Sequence, residues 1–193
     1  MTVEITQVGA EGLTDYARVP IRFRVDSVLR VTAVEGGLGG LLLREDAPAE
    51  HYTKNYDAWD EEPPARWDQV HDLTNWGIFL ARDEGRAVGG AAGVTRSPKL
   101  QMLLARDDVA VLWDIRVHPD HRRRGIGAGL FQRVVQWARE HECTQLRIET
   151  QNVNVRACRF YAAQGCRLGA VCCEAYREPR LRHETMLLWY LDL

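Results

Sequence analysis

The stretch WDIRVHPDHRRRGIGAGL, residues 113–130, runs three arginines into a Gly-x-Gly at the junction of two apolar patterns. Glycines at such a junction let backbone N–H groups approach a ligand, and the start of a helix favours anions. The pattern points to a bound phosphate group. Upstream, VAVLWDIRV (residues 109–117) is apolar on both faces, as in a strand buried in the middle of a sheet. Downstream, Ile126, Leu130, Val134 and Trp137 or Ala138 recur at helical spacing. This predicts an amphipathic helix from about Arg124 to Glu140.

The flanking sequence extends this frame. WGIFLARDEGRAVGGAAGV, residues 76–94, reads as a hairpin of two apolar runs around a polar turn. TQLRIET is a further strand, and NVNVRACRFYAAQG a short helix with asparagines near its start and Gly165 as its stop. CRLGAVCCEAY and TMLLWYL read as two last strands, so the order from residue 77 is β-β-β-α-β-α-β-β. Before it, VEITQV and VPIRFRVDSVLRV alternate like strands whose partners the sequence does not identify. EGGLGGLLL reads as a loop entering a strand, and Pro63 and Pro64 are placed to start a helix. No repeat or linker interrupts the chain, and one domain spanning 1–193 is expected.

Several function classes are excluded by detail. No Gly-Lys-Ser or Gly-Lys-Thr follows the glycines, so the loop is not a P-loop. A dinucleotide fingerprint fails because seven residues, His118 to Arg124, separate the strand from the first glycine. In addition, Leu130 stands where that motif needs a small residue. A nucleic-acid patch on Arg122, Arg123, Arg124, His118 and His121 lacks interleaved aromatics and a basic surround. The net charge of −2 supplies no general attraction to nucleic acid or anionic lipid.

With 46% apolar and 27% charged residues, the chain has globular composition. Its five cysteines form no Cys-x-x-Cys pair, which predicts reduced thiols and a cytoplasmic location. Neither a signal peptide nor a membrane span is expected from the pattern. His118 and His121 have no evident third ligand, so no metal is expected.

Arg122-Arg123-Arg124-Gly125-Ile126-Gly127 resembles the acetyl-CoA-binding element of the GNAT acetyltransferase family, Arg/Gln-x-x-Gly-x-Gly/Ala. Asn154, Ala157, Tyr161 and Gly165 resemble that family's second element, Asn-x-x-Ala-x-x-x-Tyr-x-x-x-Gly-Phe, with Cys166 replacing the aromatic residue. The two elements fall in the family's order, within a recognisable core of about residues 77–177. LRIETQNVNVRACRFYAAQGCRLGAV, together with Tyr176 and the terminal WYL, is similar to the streptothricin acetyltransferase branch. Trp113 departs from that branch, which usually carries an acid there as well as at Asp114.

The resemblance implies an α/β acetyltransferase fold, with a mixed, mostly antiparallel sheet flanked by helices on both faces. It implies acetyl-CoA as co-substrate, its pyrophosphate held by backbone N–H groups of Arg123, Arg124, Gly125, Ile126, Gly127 and Ala128. The pantetheine arm would pair with Ile115, Arg116 and Val117, a bulge there aiming a backbone N–H at the thioester carbonyl. Asn154 would bond the same arm, and Tyr161 would protonate the departing thiolate.

A general base is harder to place: Asp114 leads, ahead of Glu149 and Glu174. The acidic block Asp57, Asp60, Glu61 and Glu62 suits a cationic acceptor. The expected reaction is direct acetyl transfer, in a ternary complex, to a primary amine of a small cationic molecule, with a streptothricin-like antibiotic as the leading class. A protein Nα-acetyltransferase and a non-catalytic CoA-binding module are the alternatives. The sequence leaves a homodimer open and calls for no nucleic-acid or membrane partner.

Overall fold

The computed structural model describes residues 3–58, 62–98 and 100–193. In chain order its elements are β1 (Glu4–Val8), α1 (Leu13–Ala17), β2 (Phe23–Val25), β3 (Val28–Ala33), β4 (Leu41–Asp46) and β5 (Tyr52–Lys54). Then follow α2 (Trp67–Val70), β6 (Trp76–Asp83), β7 (Arg86–Thr95), β8 (Val109–Val117) and α3 (Ile126–Glu140). The chain closes with β9 (Gln145–Gln151), α4 (Val155–Ala163), β10 (Arg167–Cys172) and β11 (Met186–Asp192). No helix among the described residues is long and apolar enough to cross a membrane.

The chain divides into two compact units, the first of Met1–Arg22, Asn55–Arg147 and Asp192–Leu193, the second of Phe23–Lys54 and Ile148–Leu191. In the first, β1, β6, β7 and β8 lie side by side, each pair antiparallel. Successive strand residues point to opposite faces, and small residues let helices approach both. Gly77 and Gly93 lie beneath Trp137 of α3, whereas Gly90 lies beneath the ring of Tyr16 in α1. A Cβ added at any of these glycines would sit 2.5 to 2.9 Å from a ring carbon. The α1 side is sealed by a cluster that includes Leu13, Tyr16, Trp67, Trp76 and Leu80.

The second unit contains the antiparallel pair β2–β5 and the hairpin β3–β4. The run 19–31 therefore forms two strands rather than one, broken at Asp26–Ser27. Its other strands are ordered β9-β11-β10, with β10 and β11 antiparallel. Two polar contacts pin this unit. Asn152 Nδ2 donates to the Leu29 carbonyl at 3.0 Å, while its Oδ1 accepts from the Thr185 N–H at 2.8 Å. Lys54 and Glu184, 1% and 3% exposed, form a buried ion pair. Burial presses the lysine pKa down, but the carboxylate beside it favours the charged form.

Candidate active site

In the first unit the glycine-rich loop folds into a left-handed kink before α3. Arg123 (φ +63°) and Gly125 (φ +80°) both adopt left-handed backbone, so the helix starts at Ile126 and not at Arg124 as its periodicity suggests. Left-handed residues interspersed among others turn successive N–H groups inward, as in anion-binding nests. No side chain caps α3 at Gly125. The N–H groups of its first turn have no intrahelical acceptor, and the positive end of the helix dipole lies there. Ile126 is buried, while Arg123, Arg124 and Gly125 are exposed.

Arg122 serves a different purpose from its neighbours. Its guanidinium donates to the Val117 carbonyl at 3.0 Å and to the Arg22 carbonyl at 2.7 Å, tying down the root of the loop. The His118 N–H donates to the Val88 carbonyl at 2.8 Å, fixing the loop's entry. His118 and His121 stack edge to face at 5.5 Å, and His121 Nε2 lies 3.8 Å from the buried Asp83.

Along β8, Ile115, Arg116 and Val117 pair with Ala91, Gly90 and Gly89 of β7. The bulge lies upstream of these three residues. Leu112 faces Gly93 and Asp114 faces Ala92, so Trp113 is the extra residue. A bulge re-aims side chains, and here the consecutive Trp113 and Asp114 both meet the residues on the α1 side.

Asp114 is the hub of a buried polar cluster. Arg116 donates to both of its oxygens, Nε to Oδ1 at 2.9 Å and a terminal nitrogen to Oδ2 at 2.8 Å. The Tyr16 hydroxyl donates to Oδ1 at 2.6 Å. The other terminal nitrogen of Arg116 donates to the Val19 carbonyl at 3.0 Å and to Asp57 Oδ1 at 2.9 Å. Burial, then the charge of Asp114, push the Tyr16 pKa well above its usual value, which keeps the hydroxyl a donor. For Arg116, burial opposes the charge, but the Asp114 carboxylate more than offsets it and holds the guanidinium ionised. Sequence reasoning assigned only the main chain of Arg116. The i, i+2 spacing of Asp114 and Arg116 on one strand was the available signal; Tyr16 carried none, and Asp57, counted in the acidic block expected to face a cationic acceptor, meets Arg116.

Next to this cluster the aromatic rings form a chain. Trp113 lies edge to face with Trp76 at 5.6 Å and with His71 at 5.7 Å, and His71 Nε2 is 2.8 Å from Glu62 Oε2. Of the acidic block, Asp57 thus meets Arg116 and Glu62 meets His71; Asp60 and Glu61 lie outside the described residues.

The second unit carries Asn154 and Tyr161. Asn154 caps α4, its Oδ1 accepting from the Ala157 N–H at 3.2 Å, and Gly165 follows the helix with φ +86°. Tyr161 is 5% exposed, with its ring centroid 6.4 Å from that of Trp189. Burial pushes the nearby Cys158 thiol up to about 12 and Cys166 to about 11, so both stay protonated at neutral pH.

Glu149, another of the candidate bases, is half-buried on β9. Burial raises its pKa, although a hydrogen bond from the Tyr176 hydroxyl at 2.8 Å works the other way. That hydroxyl in turn accepts from Gln151 Nε2 at 2.8 Å. Glu174 is exposed.

With this geometry in view, comparison with known proteins is specific. The acetyltransferase (GNAT) family model matches residues 42–166, a span that includes parts of both units. Streptothricin acetyltransferase A of Bacillus subtilis (strain 168) is 36% identical over 81 residues, 42% of this chain and 47% of that protein. The chain spans about half the length of the curated relatives it matches. Among solved structures, nourseothricin acetyltransferase superposes with a TM-score of 0.78 at 23% identity, covering 100% of this chain and 99% of the other. A provisionally assigned streptothricin acetyltransferase of Bacillus anthracis str. Ames, in complex with acetyl coenzyme A, gives 0.75 at 22%, covering 100% and 98%. At these identities the likeness establishes the fold, the mixed, mostly antiparallel α/β fold expected from the sequence.

Proposed function

Since the chain belongs to the GNAT acetyltransferase family, we propose that it transfers the acetyl group of acetyl-CoA to a primary amine of a small cationic molecule, a streptothricin-like antibiotic being the leading class. The observation that carries this reading is the kinked backbone of residues 123–128, which offers donors and a helix dipole to a pyrophosphate. The named relatives support the acceptor class, and the complex of one structural neighbour with acetyl coenzyme A supports the co-substrate. Five free cysteines fit a cytoplasmic setting.

In the proposed mechanism the backbone of Ile115, Arg116 and Val117, together with Asn154, aligns the pantetheine arm. The neutral amine attacks the thioester carbonyl, and backbone N–H groups near the bulge receive the developing oxyanion charge. Collapse of the tetrahedral intermediate breaks the C–S bond, and Tyr161 donates a proton to the departing thiolate. The proton lost by the amine passes to a carboxylate, for which we favour Glu149. Asp114 already accepts three hydrogen bonds and is suited to holding Arg116 and Tyr16. A carboxyl whose pKa is raised by burial is the stronger base once ionised.

The test is thiol release from acetyl-CoA against a panel of streptothricin, aminoglycosides, polyamines and peptides. Turnover with the cationic small molecules is expected. Turnover with peptides alone would reassign the enzyme to protein Nα-acetylation, and tight CoA binding without turnover would make it a CoA-binding module.

A further inference from the structure

Glu149 and Gln151 stand two apart on β9, so their side chains leave the same face of the strand. The Tyr176 hydroxyl, brought in by the segment between β10 and β11, bridges them. It accepts from Gln151 Nε2 at 2.8 Å and donates to Glu149 Oε1 at 2.8 Å. An amide nitrogen can only donate and an ionised carboxylate can only accept, so the hydroxyl proton is directed at Glu149. All three residues belong to the second unit.

The carboxylate is held at one oxygen. Among the described residues none donates a hydrogen bond to Glu149 Oε2, and the side chain is half-buried rather than sealed. Arg147, next along the same face of β9, turns its guanidinium to the Gln145 side chain at 3.0 Å and to the Met102 carbonyl at 2.9 Å. The adjacent strand β11 carries Tyr190, and the segment around Tyr176 carries Glu174 and Arg177. Burial, then the Tyr176 hydrogen bond, set the acidity of Glu149, the first raising its pKa and the second lowering it. A glutamate side chain otherwise rotates about each of its bonds, so a charge-assisted bond at Oε1 is what aims Oε2.

We propose that Tyr176 is the positioning residue of the base: with Gln151 behind it, its hydroxyl holds Oε1 of Glu149 and presents Oε2 to the attacking amine. As the amine nitrogen bonds to the thioester carbon, its N–H bond breaks, the proton passes to Oε2 and the electron pair stays on nitrogen. The ionised carboxylate is restored when that proton leaves to solvent. This rests on the reading of Glu149 as the base, and it assigns the two carboxylate oxygens different tasks.

The test follows thiol release from acetyl-CoA with streptothricin across pH, for the full-length protein and its Tyr176→Phe, Gln151→Leu and Glu149→Gln variants. A hydrogen bond to a carboxylate favours the ionised form, so its loss raises the pKa of the base. Tyr176→Phe should therefore move the acidic limb of the kcat profile up by about one pH unit, a loss of roughly tenfold in turnover on that limb, with the KM for acetyl-CoA unchanged. Gln151→Leu should move the limb the same way by less; it decides the matter if the phenylalanine variant does not fold. A uniform fall in kcat with the limb unmoved, or no change at all, overturns the positioning role alone when Glu149→Gln still loses the limb. A limb that survives in Glu149→Gln overturns the base itself, and a parent that acetylates no amine overturns the acetyl-transfer reading. The role of Tyr176 falls with either.

Discussion

Replacing Arg116 with methionine keeps much of the side chain's apolar volume and removes its charge. The guanidinium is 2% exposed, and its two carboxylate partners differ sharply, Asp114 at 11% and Asp57 at 30%. Asp57 is open enough to recover hydration and should contribute little to the loss. Asp114 is not, and of the three donors described above it would keep the Tyr16 hydroxyl. Removing one partner of a buried pair costs about 3–5 kcal/mol, because the other charge is stranded. For a chain of this size each kcal/mol lowers Tm by about 2–4 °C, so the variant should melt roughly 6–20 °C below the parent. Urea denaturation at pH 7 and calorimetry measure the loss. Arg116→Lys should fall between, since an ammonium cannot donate to both carboxylate oxygens as the guanidinium fork does. The pair Arg116→Met with Asp114→Leu should recover much of the stability, since no unpaired carboxylate then remains at position 114. A loss below about 1 kcal/mol for Arg116→Met, the range of an exposed pair, would refute the buried-hub account. So would a double variant no more stable than the single one.

Other expectations concern the reaction. Gly125→Val forces a branched residue into left-handed backbone although its Cβ meets no neighbour, so calorimetry should find CoA affinity down roughly tenfold through the loop's shape alone. Arg123→Ala should cost less, and undiminished affinity in the valine variant would remove the pyrophosphate from this loop. Tyr161→Phe should fold and bind acetyl-CoA as the parent does yet turn over roughly a hundredfold more slowly; a change within about twofold would end its role as acid. Glu149→Gln should lower turnover at neutral pH by at least about a hundredfold and abolish the acidic limb of the pH–rate profile, while a limb unchanged there but lost in Asp114→Asn would return the base to Asp114. Because burial raises the folded-state pKa of Glu149, its contribution to stability is complete below the usual glutamate range and is lost as pH rises through the raised value. The glutamine variant should lack that decline in urea titrations.

Local chemistry was legible in the order of residues. The glycines before α3, the helical spacing of Ile126, Leu130 and Val134, and Asn154 and Gly165 at the ends of α4 each act on their own neighbours in the chain, where a backbone angle or a cap is decided. Even there, the left-handed Gly125 shifted the start of α3 by two residues, because a preference for helix cannot override a backbone already turned the other way. Tertiary structure alone decided the rest. Tyr16 reaches Asp114 across 98 positions, Arg116 reaches Asp57 across 59, and Lys54 reaches Glu184 across 130. The extra residue at Trp113 exists only relative to β7, since a bulge is a mismatch between two strands and no single strand encodes it. Partners of buried charges are chosen by which surfaces close over them, and that choice belongs to the packed chain, not to the spacing of its residues.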